Sequence, residues 1–213
     1  MKKSVGIGIT TCDRSECLKS CIENIGKHTD MSGVTIYVAD DSNEYKGVAY
    51  RKNECLRALK DCDYIFLFDD DCYPIKSDWV DYFIKSGQNH LLYLDGTHTY
   101  LKSVGNIDYY KNCGGVFMFL TKECVGICGG FNEQYDRWGL EHAGYSYRIY
   151  KSGLIQHPFM QLKSTNNYIY AMDYDKKSNH KSCLTNTEKN IYYNKNLNIF
   201  VKEINGPQIK YPL

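Results

Sequence analysis

The chain has 213 residues and a formal net charge of +1, from 26 basic and 25 acidic residues. That length bounds one substantial core without reaching two, and 43% hydrophobic against 24% charged residues excludes disorder and fibrous repeats. The basic residues are scattered and gather into no Lys/Arg stripe, which disfavours a nucleic-acid partner, and no segment approaches the roughly 20 apolar residues of a membrane span.

The apolar run 5–9 predicts a strand, and Cys17, Leu18, Cys21, Ile22 and Ile25 then recur at helical spacing. Residues 34–38 predict a second buried strand, followed by a helix with Val48, Cys55, Leu56 and Leu59 on one face. The third strand, 64–68, runs straight into Asp69, Asp70 and Asp71. This is a βαβαβ unit of a parallel α/β sheet. Further strands are expected at 91–94 and at 116–120, the latter preceded by Gly114 and Gly115. A helix from about 140 to 152 should close at Gly153. Beyond it the pattern weakens to one strand near 154–162, a polar Asn/Tyr/Lys-rich loop and a tail with no clear terminal element, compatible with one module of a longer protein. Ten cysteines invite a disulfide or zinc reading, but Cys17/Cys21 and Cys124/Cys128 stand four apart on helical patterns and no C-x-x-C pair occurs. Reduced thiols are expected. The apolar stretch after Met1-Lys2-Lys3 is cut off by Thr10, Thr11, Asp13 and Arg14, too early for a signal peptide, so the expected location is cytoplasmic.

Open parallel sheets bind ligands at the carboxyl ends of their strands, where Asp13, Asp40, Asp41 and the run Asp69 to Asp71 fall. Three consecutive carboxylates repel one another and are costly unless a cation neutralises them. Asp69 and Asp71, at i and i+2 of an extended turn, can face the same side and share a Mg²⁺ or Mn²⁺ that also holds phosphate oxygens. Asp95, after the fourth strand, is a further candidate for ligand contact or for a base, and Trp138 offers an apolar ring face to a ligand.

Taken in order, Val38-Ala-Asp-Asp-Ser42, Arg51-x-Asn53, Tyr64-Ile-Phe-Leu-Phe-Asp-Asp-Asp71, Gly129-Gly-Phe-Asn-Glu133 and Trp138-Gly-Leu-Glu-His142 resemble the landmarks of GT-A fold nucleotide-sugar glycosyltransferases, over roughly residues 4 to 155. Among these, the nearest likeness is to chlorella-virus domains that build capsid glycans, which the Tyr-, Asn- and Lys-rich composition fits and which would place the chain in the host cytoplasm. The resemblance implies a single GT-A (Rossmann-like) α/β/α sandwich over 1–213 with a mostly parallel central sheet, a nucleotide-binding half at about 1–95 and an acceptor and metal half at about 96–213. It implies transfer of a hexose or deoxyhexose from a UDP-sugar to a hydroxyl on a glycan or glycoprotein, with Mn²⁺ or Mg²⁺ as cofactor.

Carried over by position, it puts Thr10, Thr11 and Arg14 in the nucleotide pocket and Asp40 or Asp41 on uracil or ribose. Arg51 and Asn53 fall near the nucleotide, Asp69 and Asp71 on metal and diphosphate, and Asp70 toward the donor sugar. His180, preferred to His157, would complete the metal shell. The family ends its acceptor loop in Trp-Gly-Gly-Glu-Asp, whereas this chain has His142 in the last place. Glu141, His142 and Asp95 are therefore the candidates for the base, and both the inverting and the retaining outcome stay open. Three other classes compete: a sugar-nucleotide binding module without catalysis, a nucleotidylyltransferase, whose glycine-rich loop Thr10 to Arg14 lacks, and a glycosyltransferase of modified DNA bases.

Overall fold

Val5, Ile7 and Ile9 alternate with Gly6 and Gly8 along β1 (Val5–Thr11), and the two kinds of residue serve opposite needs. The branched side chains fill the core, while Gly8 lets a helix approach so closely that a Cβ there would collide with Cys55 and Leu67. The computed structural model describes residues 3–95, 97–176 and 182–213. After β1 come α1 (Ser15–His28), β2 (Val34–Asp40), α2 (Val48–Ala58), β3 (Tyr64–Asp69), β4 (Cys72–Pro74), α3 (Trp79–Ile84) and β5 (His90–Leu92). The second half holds β6 (Tyr100–Val104), β7 (Ile107–Tyr110), β8 (Phe117–Thr121), α4 (Lys122–Cys128), α5 (Glu141–Lys151), β9 (Met160–Leu162), β10 (Ile169–Ala171) and α6 (Asn186–Asn205).

The central sheet has the order β2-β1-β3-β8-β5, with β2, β1 and β3 parallel and β8 antiparallel to both of its neighbours. It is the mostly parallel α/β sheet the alternation predicts. Because the chain steps outward from β1 to β2 and then back past β1 to β3, right-handed crossovers put α1 and α2 on opposite faces. The packing agrees. Phe66 and Phe68 of β3 meet Trp79 at 4.6 and 5.6 Å, edge on, on the α3 side, whereas Leu67 points to Cys55 of α2. Smaller sheets, β10-β4 and β6-β7-β9, flank the central one.

Four expectations are revised. β2 is the sheet's edge strand and half-exposed along most of its length, since only β1 pairs with it and alternate residues face water. Ile22 turns outward from α1, and the stretch 154–162 forms a strand only over Met160–Leu162. Most of all, the tail carries the 20-residue α6, opened by a capping box in which Thr185 and Glu188 satisfy each other's backbone N–H groups. Polar contacts attach this helix. The Asn196 side-chain amide donates to the carbonyls of Tyr135, Trp138 and Gly139, and Glu203 takes Arg148 at 2.8 Å and the Tyr135 hydroxyl at 2.6 Å. A hydrophobic period cannot reveal such an anchor. No helix among the described residues is long and apolar enough to cross a membrane, and all ten cysteines are free thiols.

Replacing Asn196 with Ala leaves several buried carbonyls of the 135–139 turn unpaired. Denaturant unfolding should show a loss of about 1–3 kcal/mol with an unchanged slope; stability equal to wild type would mean that α6 is held by its apolar residues instead.

Candidate active site

β1 and β3 end side by side, Thr10 opposite Asp69 in the register, at the point where the chain's crossovers change direction. Thr10 donates from its hydroxyl to Asp69 at 3.0 Å, and Thr11 to Asp70 at 2.6 Å. The aspartate run is already provided with cations from the protein. Arg14 spans Asp70 and Asp71, reaching Asp70 from Nε at 3.2 Å and Asp71 from Nη1 at 2.8 Å. Lys52, 1% exposed, stands 3.4 Å from Asp69 and donates to the Gly115 carbonyl at 2.9 Å. Burial pushes the Asp70 carboxyl up to about 7, while Arg14 and the Thr11 hydroxyl pull it down. Asp70 and Asp71 are closed off from solvent, and of the three only Asp69 faces the cavities.

The second helix shapes the loop above this platform. Asp41 is buried and accepts from Arg51 Nε at 2.9 Å and from the backbone N–H groups of Lys46 and Gly47. Gly47 has φ +97°, and a side chain there would strike the Asp136 carbonyl, so the loop closes on a residue that only glycine suits. Arg51 also pairs with Glu44 and Glu54. Asp40 is exposed and accepts from Ser42. Asn53 is fully buried. It accepts from Phe131 N–H at 2.6 Å and donates to the Phe131 carbonyl and Glu133, tying α2 to the Gly130–Phe131 turn.

Thr10, Thr11, Asp41, Arg51, Asp69 and Trp138 thus come together around a first cavity of about 80 Å³, partly roofed by Ser182, Cys183 and Leu184. Arg14 lies below it, bound to the aspartates, and Asp40 and Asn53 lie outside it.

Asp69, Val48 and Trp138 also line a second cavity of about 340 Å³ with Gly115, Glu141 and His142. Glu141 opens α5 and is 4% exposed. The residue before it, Leu140, holds φ +72°, a left-handed conformation that costs a non-glycine residue about 1–3 kcal/mol and so has to be imposed by its surroundings. His142 Nδ1 donates to Glu141 Oε1 at 2.8 Å, and the imidazole is also hydrogen-bonded to Cys113. Burial alone would lower the His142 pKa, but the Glu141 carboxylate and the hydrogen bonds outweigh it and push it up to about 10. Glu141 is in turn drawn down to about 2 by His142 and Lys52 against its own burial. The pair is an imidazolium and a carboxylate at neutral pH, which makes His142 a proton donor and not a free base. Glu141 Oε2 is buried and has no hydrogen-bond partner among the described residues.

Asp95 lies apart from these groups, in a third cavity behind Tyr174. His180 falls outside the described residues. His157 sits on the β9 side against Tyr109 and Phe159, away from both cavities. Sequence reasoning passed over Lys52, Arg137, Cys113, His98 and Asp173. A lysine inside a helical pattern reads as solvated surface, and only its neighbours' burial betrays it.

Among the described residues no three His, Cys, Asp or Glu side chains converge into a metal cluster. The donor set does fit a divalent cation of the kind that keeps waters and phosphate oxygens in its shell. Asp69 and Asp173 line one cavity, and the backbone N–H of Met172, next to Asp173, donates to the Asp71 carbonyl.

A family model described as the N-terminal domain of galactosyltransferase matches residues 98–170. No curated protein matches the chain in sequence. Among solved structures, Drosophila β1,4-galactosyltransferase 7 in complex with manganese, UDP-Gal and xylobiose aligns with a TM-score of 0.56 at 20% identity, over 88% of this chain and 79% of that one. GalNAc-T7 with UDP, GalNAc and Mn²⁺ gives 0.61 at 12% identity, over 75% and 42%. A mannosyltransferase of Pyrobaculum calidifontis in complex with GDP-Man and Mn²⁺ gives 0.56 at 12%, over 72% and 54%. The chain has the GT-A fold of these nucleotide-sugar glycosyltransferases.

The ion pair makes a titration that can be followed. His142, raised above its ordinary 6.5, adds stability that is whole below that pH and is lost as pH rises through about 10. Glu141, lowered from 4.5, adds stability present above that value and lost as pH falls through about 2. In Glu141→Gln, burial is no longer opposed by a carboxylate, so the imidazole should titrate below 6.5 by NMR. An unchanged high value would assign the shift to another neighbour.

Proposed function

We propose that the chain transfers a sugar from a UDP-sugar to a hydroxyl of a glycan or glycoprotein, assisted by Mn²⁺ or Mg²⁺. One observation carries this reading: Asp69, at the end of the central strand, stands on the wall shared by two cavities. One is bounded by Thr10, Thr11 and Arg51 and the other by Glu141 and His142. A donor with its nucleotide in the first and its sugar reaching the second would place its diphosphate over Asp69. The Drosophila galactosyltransferase, solved with manganese and UDP-Gal, supports the donor class by fold likeness.

The first cavity is smaller than the roughly 300 Å³ at which small-molecule sites begin, so a nucleotide enters by displacing the roof at 182–184. Arg51, fixed by three carboxylates, and Trp138 bound its position, and the loop that Asp41 closes sets its depth. A divalent ion on Asp69 and Asp173 would offset the charge that develops on the departing diphosphate. Glu141 lines the second cavity and its Oε2 has no hydrogen-bond partner among the described residues, so it is the group that would accept the hydrogen bond of the acceptor hydroxyl once the acceptor is seated. As that oxygen bonds to the anomeric carbon and the bond to the diphosphate breaks, the proton passes to Glu141, which His142 holds ionised and oriented.

The test is release of UDP from a UDP-sugar panel that includes UDP-Gal, with Mn²⁺ and with chelator. Chelation should abolish turnover, and Asp69→Asn should lower kcat/KM about 100-fold while the protein stays folded. Tight UDP binding without turnover of any donor would leave a binding module in place of an enzyme.

A further inference from the structure

The third cavity, about 560 Å³, is as large as a small-molecule site and plays no part in the reaction as drawn above. It opens between the end of β5, the β6–β7 hairpin and β10, and it shares no lining residue with the first cavity. With the second it shares Tyr174, whose hydroxyl donates to the Tyr93 carbonyl at 3.2 Å and whose ring stands edge-on to Tyr93 at 5.0 Å. Tyr174 is thus the partition between the place where a hydroxyl reacts and a further chamber.

We infer that this chamber is a second sugar subsite: it holds the residue of the acceptor next to the one that reacts, so the acceptor is an oligosaccharide of at least two residues, uncharged or bearing an amine. The inference rests on the function proposed above. Its chemistry is that of a pyranose ring, apolar on its faces and ringed by hydroxyls. Tyr170 and Tyr174 are half-exposed and offer ring faces. Tyr170 is braced by a hydrogen bond to Asp175 at 2.8 Å and by Tyr73 behind it at 5.1 Å, so a sugar stacking on it orders little that is not already ordered.

Asp95, Asp108 and Asn166 supply acceptors and a donor for hydroxyls, while Gln161 is buried with its oxygen committed to Leu94 N–H at 2.6 Å. No lysine or arginine is among the described residues that line the chamber. Carboxylates without a cation repel uronic acids, sulfated sugars and phosphate, and accept neutral hydroxyls or an ammonium. Asp95, which lines this chamber and not the cavity of Glu141 and Asp69, thereby gains a role in acceptor recognition.

The test uses the full chain saturated with UDP and Mn²⁺ and calorimetric titration of xylose, N-acetylglucosamine, xylobiose, N,N′-diacetylchitobiose, the chitosan disaccharide and a glucuronate-capped disaccharide. At least one neutral or amino disaccharide should bind about tenfold or more tighter than its monosaccharide, and the glucuronate-capped one should show no such margin. Tyr170→Ala should erase the margin, Tyr170→Phe should keep it, and both should leave monosaccharide affinity and UDP-sugar hydrolysis unchanged. Asn166→Arg, on an exposed turn, fills the chamber without touching the core and should erase the margin too. Disaccharides binding no better than monosaccharides, a margin that survives both Tyr170→Ala and Asn166→Arg, or a preference for the glucuronate-capped probe would overturn the inference. Failure of every donor to turn over, with the margin intact, would overturn the transferase reading and leave the subsite standing.

Discussion

Two buried carboxylates side by side are tolerable here because one guanidinium spans both. Asp70 and Asp71 lie at the end of β3 with almost no solvent, where an unpaired charge would cost several kcal/mol. Arg14 answers both from the loop after β1, and Thr11 adds a hydroxyl. That arrangement locks the β1 loop onto the β3 turn and fixes the level at which Asp69 emerges. It also changes what the aspartate run means. Repulsion among the three is relieved from within by Arg14 and Lys52, so the integrity of the fold does not call for a metal at the run, and in the proposed transfer a metal would act on the diphosphate alone.

The halves of the candidate site are built by different means. At the first cavity, a hydrogen-bonded strand register sets Thr10, Thr11 and Asp69, and rigid parallel strands hold them. At the second cavity, Trp138, Gly139 and Leu140 lie in a turn with two positive φ values, held from behind by Asn196 of α6 and from the side by Lys52 through Gly115. Lys52 bridges the two halves, 3.4 Å from Asp69 and bound to the carbonyl of Gly115, the residue against which His142 packs. A single ammonium thus couples the position of Asp69 to that of the wall of the second cavity.

How much of this was legible in the sequence follows from which force builds each part. β1, β3, β8 and α5 are apolar runs or periods and were readable as such, and the carboxylates at the end of β3 followed from the strand that ends there. Residues whose burial is polar were not. Lys52 and Arg148 hide long apolar stems under charged heads, and Asn53 and Asn196 are buried to satisfy backbone groups, so no hydrophobic pattern distinguishes them from surface. Asp41 and Asn53 sit where the family resemblance places nucleotide contacts, yet their visible bonds go to the protein's own loops. The β6–β7 hairpin escaped because its first strand is exposed along its whole length and carries no buried period.

Histidine at position 142 is the departure from the family pattern with the widest consequences, and the fold has been fitted around it. An imidazole is bulkier than a carboxylate, and the room comes from Gly115, where a Cβ would strike the ring. Exchanging an acid for a cation also reverses the electrostatics of the pair. Two neighbouring carboxylates would raise each other's pKa and make one of them a better base, whereas an imidazolium lowers that of Glu141. Glu141 loses basicity and gains permanent ionisation. A weak base serves best where the leaving group departs well ahead of proton transfer, because the acceptor hydroxyl then becomes acidic as its bond to the anomeric carbon forms. In the transfer we propose, His142 would thus shift the burden from deprotonating the acceptor toward stabilising the departing diphosphate, on the side of the site where Asp69, Lys52 and Arg14 stand.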